Sequence, residues 1–131
     1  MQEYNVNKKD KQSKDDLFIY SGEEMPLTGR LHDENGNDVY FQEECLFQLI
    51  IRDKCGHVYK EYSNKPIGRQ EPITINGNTF SCMLKKEMTR TMVGMFVVEV
   101  KLVQGGNTFI NVCKPFEVKN DFIKRTKEYE E

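Results

Sequence analysis

Residues 95–118, MFVVEVKLVQGGNTFINVCKPFEV, decide the fold. Phe96, Val98, Val100 and Leu102 alternate with Val97, Glu99, Lys101 and Val103. A period of two is the mark of a strand with one face in a core. Gly105-Gly106 then turns the chain, because glycine reaches positive φ without steric cost. A second alternating run follows in Ile110, Val112, Lys114, Phe116 and Val118. A two-residue loop at the glycines sets Leu102 opposite Phe109 but Val100 opposite Asn111, and leaves Ile110 and Val112 facing Lys101 and Glu99. A three-residue loop from Gly105 to Asn107 sets Leu102 opposite Ile110, Val100 opposite Val112 and Phe96 opposite Phe116. One residue of slip moves a whole apolar set to the other face, so the pattern predicts the three-residue loop.

Upstream, short apolar runs are cut by turn signals. Leu17 to Tyr20 ends at Ser21-Gly22, and Leu27, Gly29 and Leu31 form a second alternating run. Pro26 bars the start of that run from a central ladder position, since proline has no N–H to give. Asp33 to Gly36 and Asp53 to Gly56 are D-x-x-G turns, in which the aspartate bonds the backbone ahead and glycine takes a left-handed place. Asp38 to Phe41 resumes as a short extended piece. In residues 45–52, CLFQLIIR, Cys45, Phe47, Leu49 and Ile51 share the core side, and Leu46 and Ile50 make the other side partly apolar. Val58, Lys60 and Tyr62 alternate with His57, Tyr59 and Glu61. Residues 63–72 are loop by composition. Ile73 and Ile75 lead through a hairpin signal, Asn76-Gly77-Asn78, to Phe80, Cys82 and Leu84 on one face. Residues 85–92 are the one internal helical turn.

About seven or eight short strands without a long helix predict an all-β, immunoglobulin-like antiparallel β-sandwich. The chain divides into a polar N-terminal arm (1–16), the β-domain (17–119) and a C-terminal tail (120–131) that Asp121 can cap as a short helix. The arm carries four lysines and four acidic residues with no apolar period, so a flexible arm is expected.

At 131 residues the chain has the length of one domain. A net charge of −2 with 31% charged residues lacks the basic excess of a nucleic-acid binder. No apolar run approaches the ~20 residues of a membrane span, and residues 1–16 lack a signal peptide's apolar segment. A cytoplasmic protein with four reduced, scattered cysteines is therefore expected. Neither a disulfide framework nor a metal site is expected, although Cys55 lies close enough to His57 for zinc to be an alternative.

No nucleophile elbow, P-loop, GxGxxG or HExxH is present. His32 and His57, the two histidines, flank turns. The carboxylate pairs Glu23-Glu24 and Glu43-Glu44 point to opposite faces if they lie on strands. No catalytic residue, cofactor or metal ligand is predicted. Lys85, Lys86 and Arg90, with Thr89 and Thr91, form a small basic patch suited to an acidic partner surface. Tyr4 on the arm, Phe122, Ile123 and Tyr129 on the tail, and Arg90 are the expected partner contacts. Open strand edges are the other natural contact devices of such a domain. Tyr40, Tyr59 and Tyr62 are candidates for a carbohydrate-binding face.

The order of these turns and strands resembles the N-terminal immunoglobulin-like domain of phage baseplate upper proteins. The resemblance runs over residues 17–119. It rests on Gly22-Glu23, the two D-x-x-G turns, the apolar strand between them, Ile73-Thr74-Ile75-Asn76-Gly77-Asn78, the Thr89/Thr91 segment before Gly94-Met95-Phe96, the glycine-pair turn and the closing Phe116-Glu117-Val118. Family members continue into fibre or receptor-binding regions, whereas a short tail follows here. The resemblance thus implies a non-enzymatic virion building block of capsid, tail or baseplate. It would assemble in the bacterial host cytoplasm with other virion proteins, as many copies in a symmetric assembly. A carbohydrate- or host-surface-binding module of the particle is the alternative.

Overall fold

The computed structural model describes residues 17–113 and 115–120. The expected arm and tail, with Tyr4, Phe122, Ile123 and Tyr129, lie outside the described residues. Ten strands and one short helix make up the rest: β1 (Phe18–Tyr20), β2 (Met25–Arg30), β3 (Leu46–Asp53), β4 (Val58–Ser63), β5 (Glu71–Pro72), β6 (Thr74–Asn76), β7 (Thr79–Leu84), α1 (Lys86–Thr89), β8 (Gly94–Gln104), β9 (Asn107–Val112) and β10 (Phe116–Lys119). The strand count exceeds the expected seven or eight because β1, β5 and β6 are three residues or shorter. The protein is all-β in class, as its turn spacing predicts.

The larger sheet has the order β1-β10-β8-β3-β4-β5, with β9 also paired to β8. The smaller sheet has the order β2-β7-β6. Most pairings are antiparallel, but β1 with β10 and β4 with β5 are parallel, so the larger sheet is mixed. Pro26 sits on β2, an edge strand, where its missing N–H costs no ladder bond. Residues 38–41 form no strand; their extended character survives as one isolated bridge between His32 and Asp38.

Side chains from both sheets share one core. Phe47 of β3 meets Phe80 of β7 at 5.0 Å between ring centroids and takes the edge of Phe41 at 5.0 Å. Cys45, Leu49, Ile51, Phe96, Val98, Val100 and Leu102 are buried on the sides their alternation predicts. Buried Gln104 and Thr89 and half-buried Asn64 tie the loops to this core. Gln104 accepts from Gln42 N–H and donates to Tyr40 O. Asn64 accepts from Phe47 N–H at 2.8 Å and donates to Cys45 O. Thr89 Oγ1 accepts from Gly22 N–H at 3.0 Å and lies 2.8 Å from Glu23 O, to which its hydroxyl can donate.

The central hairpin departs from its expected register. Gln104 pairs with Asn107, Leu102 with Phe109 and Val100 with Asn111, so the loop is the two residues Gly105-Gly106. Both have positive φ, +60° and +77°, the requirement of a two-residue turn whose twist matches that of its strands. Ile110 and Val112 consequently leave the core side and stand 47% and 58% exposed. Phe116 pairs with Phe96 all the same. The register slips by one residue between β9 and β10, which returns Phe116 and Val118 to the core. An unbroken alternation in sequence thus conceals two strands on opposite registers. Turn chemistry at the glycine pair prevailed over the apolar count.

Candidate functional site

Two surfaces merit description: the open edge formed by β9, and a groove beside β4. β9 and β10 lie end to end along one side of β8, while β3 takes the other side. Among the described residues no strand pairs with the outer side of β9. Cys113 N–H donates to Val98 O at 2.8 Å, and ladder-bonded residues recur at alternate positions of an antiparallel pair. Phe109 and Asn111 therefore turn their backbone groups to β8, and Thr108, Ile110 and Val112 turn theirs outward. One outward donor is occupied, since Val112 N–H bonds Asn111 Oδ1 at 3.0 Å.

Open edges usually carry charges, prolines or short strands that discourage pairing. The outer strands β1, β2, β5 and β6 among the described residues follow that rule. β2 contains Pro26 and Arg30, β5 is Glu71-Pro72, and β1 and β6 have three residues each. β9, Asn-Thr-Phe-Ile-Asn-Val, has six residues with no charge, proline or glycine. Behind it on the outer sheet face, Lys101 pairs with Ile110 and Glu99 with Val112. Glu99 Oε1 is held by Arg52 Nε at 2.9 Å.

The groove, of about 680 Å³, is lined by Val58, Tyr59, Lys60 and Glu61 of β4, Ile67 to Gln70 of the following loop, and Met88 of α1. Its polar wall is internally linked: Gln70 Nε2 donates to Glu61 Oε1 at 2.9 Å, and Lys60 pairs with Glu71. Tyr59 Oη reaches Thr91 O at 2.6 Å, and its ring stands edge-on to Phe96 at 5.4 Å. A smaller hollow of about 150 Å³ continues past Lys60 and Met88 towards Lys85 and Glu87.

Arg90 is exposed at the end of α1, with its Cγ beside the turn at Gly22. Lys85 and Lys86 are also exposed, but Thr89 is buried and belongs to the fold rather than to a basic patch. The three tyrosines do not form one face. Tyr62 is 1% exposed with its hydroxyl on Met83 O, Tyr59 is half-buried, and Tyr40 stands apart in the 38–44 loop. The expectation for Tyr62 is therefore corrected: its parity on β4 places it in the core. Cys55 and His57 are both exposed in the 53–57 turn, and His57 Nδ1 lies 3.4 Å from Asp53 Oδ2. Among the described residues no three histidine, cysteine or acidic side chains converge as a metal cluster would. Burial pushes the Cys82 thiol up to about 12, helped by the Glu71 carboxylate, and burial likewise raises Cys113.

Ile110, Asn111 and Val112 do not appear among the sequence-predicted contacts, because the wrong register hides them in the core. The uncharged run 107–112 is the signal that finds them. Ile67, Arg69 and Gln70 read only as loop. These features define a class no narrower than an all-β domain with one unguarded strand edge and one polar groove. Comparison with protein-family models and with curated proteins finds no match.

Proposed function

We propose that the protein is a non-enzymatic structural module of a phage particle. In this reading an immunoglobulin-like β-sandwich attaches to other virion proteins through its terminal segments and the β9 edge. The observation that carries the contact role is the edge itself, six uncharged residues with three outward-facing backbone positions. The sandwich reading draws support from two sheets that share one core across the Phe47–Phe80 contact. The order of the D-x-x-G turns, the Gly77 and Gly105-Gly106 hairpins and the closing Phe116-Glu117-Val118 supports the phage assignment. The test is quantitative mass spectrometry of density-purified phage particles from the host that makes the protein. Multiple copies at a fixed ratio to the major capsid or tail protein are expected; loss of the protein from purified particles defeats the assignment.

The groove favours a second reading, a carbohydrate- or host-surface-binding module. A half-buried tyrosine beside Glu61, Arg69 and Gln70 offers one apolar edge and several hydrogen-bonding groups, a common composition for a small-ligand site. Glycan-array binding that disappears in Arg69→Ala and Gln70→Ala, with folding unchanged, would favour this reading over the first.

A further inference from the structure

We propose that β9 pairs with β9 of a second copy of this chain, antiparallel across a two-fold axis at Ile110, joining the two larger sheets into one. This rests on the reading of β9 as a contact edge and not on the virion assignment. The argument begins with backbone direction. Thr108, Ile110 and Val112 carry the outward backbone groups, as the Cys113–Val98 bond and the β8 pairing fix. Antiparallel pairing centred on Ile110 sets Ile110 against its own counterpart and Thr108 against Val112 of the second copy. All three positions then meet in hydrogen-bonded pairs, giving up to about six backbone bonds.

Side chains agree with that register. Thr108, Ile110 and Val112 share the outer face, so the pairs formed are Ile with Ile and Thr with Val, all β-branched, the types that favour cross-strand contact. The surrounding charges agree as well. Lys101 stands one strand behind Ile110, and Glu99 one strand behind Val112. No like charges become direct neighbours at the junction. By contrast, residues 1–16, which precede β1 in sequence, carry four lysines and four acidic residues. They match an uncharged edge less well than β9 matches itself. The Asn111 side chain must release Val112 N–H for the outer bonds to form. That release makes association modest and reversible.

The experiment is sedimentation equilibrium of the full chain, wild type and with Ile110→Lys or Ile110→Glu. Ile110 is 47% exposed, so both variants are expected to keep the wild-type circular dichroism; Ile110→Lys, which faces Lys101 across the ladder, should melt slightly lower than Ile110→Glu. The wild type should dimerise with a dissociation constant below roughly 1 mM. Each charged variant alone sets like charges face to face and should dimerise at least about fivefold more weakly. An equimolar mixture of the two should recover association as a heterodimer, because only the dyad at residue 110 brings Lys to Glu. A wild type monomeric at that concentration overturns the proposal, whether residues 1–16 or a foreign strand covers the edge. Charged variants that dimerise as well as wild type, or a mixture no better than its components, overturn it also. A monomeric protein found in particles would leave the virion reading standing, and a dimer absent from particles would do the reverse.

Discussion

Thr89 shows how one residue can hold two elements in place. It is the buried member of a helix of four residues, too short to persist on its own. Its Oγ1 accepts Gly22 N–H and reaches Glu23 O, while Ser21 Oγ donates to Thr89 O at 3.1 Å. Thr89→Val keeps the shape and removes the hydroxyl, leaving the half-buried Gly22 N–H without its acceptor. Urea unfolding should show a loss of about 1–3 kcal/mol, and Thr89→Ser should recover most of it. An unchanged midpoint for Thr89→Val would mean that water replaces the hydroxyl. The four cysteines make a second prediction at this scale. Cys45 is buried, Cys82 and Cys113 are half-buried with raised thiol pKa values, and Cys55 is exposed in a turn. Since the thiolate is the reactive form, Ellman's reagent at neutral pH should titrate one thiol quickly in the native protein. Cys55→Ser should abolish that fast phase.

At the scale of elements, the two D-x-x-G turns are built alike, and their carboxylates should titrate alike. Asp33 Oδ1 accepts from the backbone N–H of Asn35 and Asn37, and Asp53 Oδ1 from that of Cys55 and His57. The Asn37 N–H contributes most to lowering Asp33, and the His57 N–H most to lowering Asp53. Both carboxyls therefore sit below their ordinary value of 3.8. A depressed folded pKa makes a contribution that is whole above the unfolded value and lost as pH falls through the folded one. Turn order should hold down to about pH 4 and fade below it. Carbon-detected NMR of the two carboxyls should give midpoints below 3.8, and Asp33→Asn should remove the first; midpoints at or above the ordinary value would refute the capping account. These turns are legible in the sequence because their residues act locally. So are the β3 and β8 core faces, where Phe47, Leu49 and Ile51 meet Leu102, Val100 and Val98. The β9 edge is not legible in that way. Ile110 and Val112 imitate a core face, and only the twist demanded by Gly105-Gly106 reveals them as surface. The groove has no signature in the sequence, because loop residues 64–70 reach β4 through Gln70 and Glu61, a contact that no periodicity encodes.

For the whole molecule, the question is whether the mixed larger sheet and the smaller sheet form one cooperative unit. The hydrogen-bond ladders run within each sheet, so the sheets are joined by side chains. Phe47 and Phe80 pack ring against ring, tilted by 43°, across the interface, and Tyr62 of the larger sheet donates to Met83 O of the smaller at 3.1 Å. Phe47 is fully buried and holds Phe41 of the intervening loop as well. Removing its ring loses transfer free energy and leaves a cavity against three elements. Phe47→Ala should cost about 3–5 kcal/mol, a large share of the about 5–15 kcal/mol that stabilises a domain of this size. Because a 1 kcal/mol loss lowers the midpoint by about 4–8 °C in small domains, the variant should melt well over ten degrees lower, at about 12 °C or more below wild type. If the sheets cooperate, tyrosine fluorescence and far-ultraviolet dichroism will move together in both proteins. Tyr62 is one of six tyrosines, so the part of the fluorescence change that a Tyr62→Phe variant loses reports the interface, and the dichroism reports the sheets. Separate transitions in the wild type would show that the smaller sheet unfolds alone. In that case the β9 edge would stand on a larger sheet that persists without its cover, and association through β9 should survive into the partly unfolded state.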